Sequence, residues 1–477
     1  MHNEIIKTLE AAGWPARLVG GCVRDQLLGR TPKDFDIVTL ANPDQICEAL
    51  TQGIFDKSTL IRVGESFGVI KVAWGGQVVD VATARSDGEY TDGRRPDNIQ
   101  FASFKEDMSR RDFTINALSI GKDDFIFDYF RGQEDLEKKV IRTIGEPSER
   151  FNEDYLRMLR AVRFAVQLDF RIDTIVIDAI QHMAQNITKI SAERVSDEFR
   201  KIMLSGNAVR GLELLKSTGL LQHIIPEFVE TWGPKGYQDP KHHPEGNVWT
   251  HTRQVVSHAE KTGDFVLIMG AMLHDIGKPG TQEIREGDCN CDASISSCAH
   301  PERITNLGHD KLGAEMSRVI CERLRLTAKE TDSICDLVRL HMLMHNVDKL
   351  RKSRLIAILS RDDIDQLMQL QHADSLGSFF YHGIEELHNY PLSEVGERIS
   401  TKSRKEFITS KIQELKPVWE VPAILSGGDL IKAGYKPGPM FKTILSKVRN
   451  AQLEGQLQNK DQALELVKLM RLTTGKI

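Results

Sequence analysis

Near residue 134 the hydrophobic period of this chain changes, and that change does most to limit what it can fold into. Before it, short apolar runs suit strands: Arg17–Val19, Phe35–Val38, Val69–Trp74 and Val78–Thr83. Gly75-Gly76 offers a hairpin turn between the last two. After Glu134 apolar residues recur at i, i+3 or i+4 almost to the end, the period of a helix with one buried face. One sandwich, barrel or bundle cannot satisfy both periods. The pattern predicts an α+β chain, a mixed-sheet head followed by an all-α remainder. Its 477 residues suit about three domains, at ~100–200 residues each. Linkers are expected at Thr231–Gly236 and in the polar insert from Gly280 to Gly308.

Composition narrows the class. Hydrophobic residues make up 40% of the chain and charged residues 27%, as in an ordinary globular protein. A formal charge of −5 argues against a nucleic-acid binder that is basic throughout, but leaves room for basic faces. The stretch from Thr401 to Ile477 has such a bias, with 14 Lys or Arg against 7 Asp or Glu. No basic segment followed by an apolar one opens the chain. The longest apolar run, Phe265–Leu273, is too short to span a bilayer. Seven cysteines, an odd number in a long chain, imply no disulfide framework, so a reducing cytoplasm is the expected location and no membrane partner is expected.

The chemistry concentrates between Leu18 and Asp36. Gly20 and Gly21 allow close backbone approach to phosphate oxygens, and Arg24 supplies a forked cation for them. Asp34-Phe35-Asp36-Ile37-Val38 reads as a strand whose alternation puts both carboxylates on one face, where they can grip Mg²⁺. Asp80, in Val78-Val79-Asp80-Val81, is either a third carboxylate for the same centre or a strand-end Asp bonded to backbone. Further on, Asp154, Arg157, Arg160 and Arg163 recur at steps of three, which wind slowly round one side of a helix. That is a polar spiral around a site or simply a basic helix face.

The Leu18–Asp36 segment resembles the first motif of the class II tRNA nucleotidyltransferases, the family of CCA-adding enzymes and bacterial poly(A) polymerases. Arg110-Arg111-Asp112-Phe113-Thr114-Ile115-Asn116-Ala117 resembles the family's ribose-recognising motif, and Glu153 to Ala165 its base-selecting motif. With the segment Ala192–Phe228, the resemblance covers about the first half of the chain. It implies a polymerase-β-like head over residues 1–140, a helical neck over 141–230, an HD domain over 240–380 and an RNA-binding helical tail over 381–477. It implies that Asp34 and Asp36 bind two metal ions and that the 3′-hydroxyl of an RNA attacks an α-phosphate. Gly21 and Arg24 would bind the nucleotide; Arg111 and Asp112 would touch its sugar and triphosphate side, with Asn116 fixing that loop. Asp154 and Arg157 would form a protein template for the base, and Arg160 and Arg163 would hold phosphate. The polar loop Arg85–Pro96 corresponds to one that, in the family, helps the switch from C to A.

In the helical half, Met272-Leu273-His274-Asp275-Ile276-Gly277-Lys278-Pro279 resembles the HD phosphohydrolase superfamily. His251, His309, His341 and Asp374 would join His274 and Asp275 around a divalent ion of unspecified identity. Cys289, Cys291, Cys298 and His300 have spacing too tight for a usual zinc site and read as a loop with exposed thiols. Leu425–Pro439 resembles the tail that grips the tRNA elbow. The whole implies CCA addition to tRNA from CTP and ATP with Mg²⁺, and a second phosphohydrolase centre. The alternatives are a poly(A) polymerase or A-adding enzyme, and an HD nucleotide hydrolase with an RNA-binding head.

Overall fold

The computed structural model describes residues 1–53, 55–64, 68–87, 99–238, 246–286, 302–344, 346–377 and 397–474. They form two compact units, residues 1–228 with 323–325, and residues 229–322 with 326–477.

The first unit is built on a sheet of seven strands. In chain order these are β1 (Ala16–Val19), β2 (Asp36–Thr39), β3 (Leu60–Gly64), β4 (Val69–Trp74), β5 (Gln77–Thr83), β6 (Leu118–Ile120) and β7 (Ile126–Asp128). Across the sheet they run β3-β4-β5-β2-β1-β6-β7. Only β2 and β5 pair in parallel; the other pairs are antiparallel, so the sheet is mixed. Gly75 and Gly76 turn β4 back on β5, with Trp74 opposite Gln77 and Lys71 opposite Asp80. The parallel pairing sets Asp36 opposite Asp80. β1 ends at Gly20, whose φ of +79° releases the chain into helix α1 (Gly21–Leu27). The neck contributes α2 (Leu156–Leu168) and α3 (Ala192–Met203). Met158, Leu159, Ala161, Val162 and Ala165 bury one stripe of α2 completely, each large side chain contributing about 1.5–3 kcal/mol. The other stripe is left for the arginines.

The second unit is helical. Five of its helices matter here: α4 (Val248–Ala259), α5 (Phe265–Leu273), α6 (His309–Arg323), α7 (Ala328–Met344) and α8 (Ile364–Gly377). Asn247 caps α4 by accepting from Thr250 N, and Asp264 caps α5 by accepting from Val266 N and Leu267 N. α5 is apolar all round and buried except at Val266, as a central helix must be. The expected linker insert begins and ends as an antiparallel pair, Glu283–Glu286 with Glu302–Thr305. In the tail, helices Gly427–Lys432, Met440–Leu453 and Lys460–Thr474 gather Leu425, Leu430, Ile444, Val448, Ala463 and Val467 into a small core. Among the described residues no helix is long and apolar enough to cross a membrane. The Cys289–His300 segment and most of the Arg85–Pro96 loop lie outside the described residues.

Candidate functional site

A cavity of about 610 Å³ in the first unit is lined by residues from every segment that the sequence singles out there, Asp80 excepted. Gly21, Arg24, Asp34, Asp36, Arg111, Asp112, Asn116, Asp154, Arg157, Arg160 and Arg163 all face it. The sheet edge supplies the carboxylates. Asp36 opens β2, while Asp34 sits in the bend before it, so the strand is two residues shorter at its start than its sequence suggests. Asp80 does not line the cavity. It stands opposite Lys71, whose Nζ lies 2.7 Å and 2.8 Å from its two oxygens. Burial pushes the Asp36 carboxyl upward; Arg111 opposes this, and the charges of Asp80 and Asp34 add to it. Like charges so arranged accept a divalent cation, so the donor set fits Mg²⁺.

A larger residue at Gly20 would be strained by its positive φ, and its Cβ would displace Arg111 Nη1, which lies 2.7 Å from that position. Arg111 therefore lies across the turn that carries Gly21 and Arg24. Arg24 Nη1 donates to Asn116 Oδ1 at 2.8 Å, and Asn116 Nδ2 donates to Asp112 Oδ1 at 3.0 Å. The other Asp112 oxygen accepts Arg160 Nε at 2.7 Å. Burial alone would raise Asp112; Arg160 and Asn116 reverse this and hold it at about 2. The neck arginines differ from one another. Arg157 is anchored, donating to Arg150 O at 3.0 Å and Arg110 O at 3.1 Å and pairing with Glu153. Arg163 pairs with Glu198 at 2.5 Å through Nε and donates to Gln167 Oε1 through Nη1. Asp154 accepts Leu156 N at 3.0 Å, at the start of α2, and Arg194 Nη2 at 2.6 Å.

Arg194, Glu198 and Lys71 were absent from the sequence-based set. Lys71 is legible in hindsight, since a two-residue Gly-Gly turn fixes 71 opposite 80. Arg194 and Glu198 lie on α3, about 40 and 35 residues from their partners, where no spacing rule reaches.

In the second unit six buried side chains converge: His251 from α4, His274 and Asp275 after α5, His309 opening α6, His341 from α7 and Asp374 from α8. They form two groups that could each hold an ion, His251–His274–Asp374 and Asp275–His309–His341. One ion was expected; two groups of three are present, joined at Asp275. Its Oδ2 lies 3.2 Å from His274 Nε2 and its Oδ1 3.3 Å from His309 Nε2. His251 Nε2 lies 3.0 Å from Asp374 Oδ1. The nitrogens facing the backbone set the tautomers: Nδ1 of His274, His309 and His341 lie 2.8, 2.7 and 2.6 Å from the carbonyls of Ala271, Asn306 and Val338. A proton on each Nδ1 leaves each Nε2 as a lone pair. Nε2 of His309 and of His341 lie 3.2 Å apart, a spacing that a shared proton or a divalent cation could bridge. The donor set therefore fits divalent metal. Burial lowers His341 to about 3, keeping it neutral. Burial also works against protonation of His309, but Asp275 outweighs it and the net shift is upward. Asp275 is held well below the carboxylate range against its own burial, by His274 and Lys278. Gly277 makes the approach possible, because a Cβ there would meet the His309 carbonyl at 2.3 Å.

The site elements thus comprise a mixed-sheet head, a neck that completes its cavity and a helical cluster of six buried His and Asp side chains. Domain comparisons agree: residues 16–142 match the poly A polymerase head domain, 169–231 the probable RNA and SrmB-binding site of polymerase A, and 248–377 the HD domain. The chain therefore carries these three domain types in that order. It is 44% identical over 220 residues to a CCA-adding enzyme of Pediococcus pentosaceus, covering 46% of this chain and 54% of that one. With a CCA-adding enzyme of Geobacillus thermodenitrificans it shares 43% over 221 residues, covering 46% of this chain and 53% of that one. The chain thus spans 54% of the length of the first of these relatives. Its fold resembles that of the Bacillus stearothermophilus CCA-adding enzyme in complex with CTP, with a TM-score of 0.63 at 24% identity over 100% of this chain and 98% of that one. It also resembles the Thermotoga maritima CCA-adding enzyme complexed with tRNA, with a TM-score of 0.55 at 20% identity over 98% of this chain and 94% of that one.

Proposed function

We propose that this protein is a cytoplasmic, template-independent RNA nucleotidyltransferase that builds or repairs the 3′-terminal CCA of tRNA from CTP and ATP. The head is taken as residues 1–140, the neck as 141–230, the HD domain as 240–380 and the RNA-binding tail as 381–477. One observation carries this reading: the carboxylates Asp34 and Asp36 share a cavity with the base-selecting pair Asp154 and Arg157. Phosphoryl chemistry and base choice then act on one bound nucleotide.

In the reaction the RNA 3′-oxygen bonds to the α-phosphorus as the bond to the β-phosphate oxygen breaks, releasing pyrophosphate. Asp34 and Asp36 would hold Mg²⁺, which when bound supplies charge neutralisation on the triphosphate. Arg24, Arg111 and Arg160 surround the phosphates, while the Asp112–Asn116 link keeps Arg24 and Arg160 aimed. Asp154 accepts from the exocyclic amine of cytosine or adenine, and Arg157, anchored to two carbonyls, donates to the ring. UTP and GTP present a carbonyl where Asp154 needs a donor, leaving a desolvated carboxylate unpaired. Asp80, opposite Asp36 and paired with Lys71, is the third carboxylate, for taking the proton of the 3′-hydroxyl or steadying a metal. The sugar faces Arg111 and Asp112, and Arg163, held beside Glu198, joins Arg160 on the phosphates.

The HD domain is read as a second, metal-dependent phosphohydrolase, with His251, His274 and Asp374 in one group and Asp275, His309 and His341 in the other. A divalent ion there would supply Lewis-acid activation of a phosphate ester.

The test is to incubate the protein with tRNA lacking CCA, CTP, ATP and Mg²⁺, then sequence the 3′ ends. Addition of C, C and A followed by arrest is the expected result. Long A tails on generic RNA would instead identify a poly(A) polymerase, and A added only to tRNA ending in CC an A-adding specialist.

A further inference from the structure

We propose that Gln238 is a substrate-positioning residue of the HD centre, its side-chain amide donating to a phosphoryl oxygen of the bound ester. This rests on the HD domain being a phosphohydrolase.

Gln238 is 2% exposed. Its Oε1 accepts from Lys278 Nζ at 2.6 Å, which fixes the rotation of the amide: turned the other way, its NH₂ would face an ammonium. In this orientation Nε2 is a buried donor with no acceptor among the described residues. An unpaired buried amide costs about 1–3 kcal/mol, and such groups in native folds call for an explanation. Satisfying Lys278 accounts for Oε1 and leaves Nε2 unexplained. A ligand oxygen accounts for it.

The surroundings say which ligand. Lys278 Nζ lies 2.7 Å from Asp275 Oδ2, the carboxylate that joins the two candidate metal groups. Following those contacts, Nε2 lies no further than roughly 8 Å from that oxygen, the span of an ion and a phosphoryl group together. The amide is also held from both sides. Gln238 N donates to Gly246 O at 3.0 Å, and Tyr237 bridges to Asn247, the residue that caps the helix carrying His251. The Tyr237 carbonyl accepts Gln282 Nε2 at 2.8 Å. Gln238 is thus tied to the segments bearing His251 and Asp275, beside an ammonium and a cluster built for cations. An anionic oxygen suits that field; a carbonyl or an apolar group does not.

Two variants separate donation to a ligand from mere support of Lys278. Gln238→Glu keeps an acceptor for Lys278 and loses the donor; Gln238→Met is neutral and loses both. Inorganic phosphate is the probe, titrated calorimetrically into the full-length metal-loaded protein, with metal content by mass spectrometry and hydrolysis of a 2′,3′-cyclic nucleotide measured in parallel. Both variants should keep their metal, bind phosphate at least roughly tenfold more weakly, and raise KM more than they lower kcat. Wild-type phosphate affinity in either variant overturns the assignment. If Gln238→Met loses metal or fails to fold, Gln238→Glu alone decides by the same criterion. Should the wild-type protein neither bind phosphate nor hydrolyse any ester with any divalent metal, the HD reading itself falls, and this proposal with it.

Discussion

The two candidate metal centres are built on opposite principles. In the head, Asp34 and Asp36 line a cavity walled by arginines, and on the proposed reading a bound nucleotide would supply much of the remaining coordination. In the HD domain six candidate ligands are buried, and backbone carbonyls orient three of the histidines, His274, His309 and His341. An open half-site suits a centre that takes up and releases a triphosphate at each turnover. A closed, pre-aimed cluster suits an ion that stays. The contrast teaches that ligand count alone says little; what completes the shell, substrate or protein, sets whether the metal cycles.

The sharpest way to break this contrast is to remove each centre separately. Asp34→Ala or Asp36→Ala should lower nucleotide addition on the order of 10³-fold or more, leaving tRNA binding nearly intact and the metal content of the HD domain unchanged. Near wild-type turnover in either variant would sink the assignment. Conversely, His274→Ala combined with Asp275→Ala should strip metal from the purified protein and abolish phosphohydrolysis while nucleotide addition persists. Loss of addition in a folded double variant would mean the centres depend on each other.

Within the head, Arg157→Ala should erode discrimination of CTP and ATP against UTP and GTP by roughly 10–100-fold, read as ratios of kcat/KM. A uniform fall for all four nucleotides would place Arg157 in architecture instead. The smallest effect belongs to Asp112. Its folded value of about 2 lies below the ordinary 3.8, so its stabilisation is fully present above pH 3.8 and is lost as pH falls towards 2. Asp112→Asn should cost on the order of 2 kcal/mol at neutral pH and flatten denaturation midpoints across that acid window. An unchanged profile would show that the Arg160 pairing contributes nothing net.

Much of this was readable beforehand, for local reasons. Gly75-Gly76 between two β-branched runs specifies a hairpin, and β4 and β5 follow. The periodic leucines and valines of Leu156–Leu168 specify the buried stripe of α2, which turns its arginines to the cavity. The HD ligands needed the resemblance to be grouped, since five helices bring them together across more than 100 residues, as with His251 and Asp374. What stayed hidden depends on partners that no pattern predicts. Glu198 beside Arg163 and Lys71 beside Asp80 are such partners. The division of six HD ligands into two groups depends on distances of a few ångströms, which sequence separation does not encode.

The chain Arg160–Asp112–Asn116–Arg24 runs without interruption from the neck helix to α1, the helix that follows β1. Three segments that look like separate motifs are therefore one electrostatic object, and substitutions in it will show epistasis. Once Asp112 is gone, further loss of Arg24 or Asn116 should cost less than it does alone, because the relay joining them has been cut. Drift at any one of these positions is harmless only in company. A lineage could exchange the whole set together, but each single step on the way would leave a polar group of the relay short of a partner.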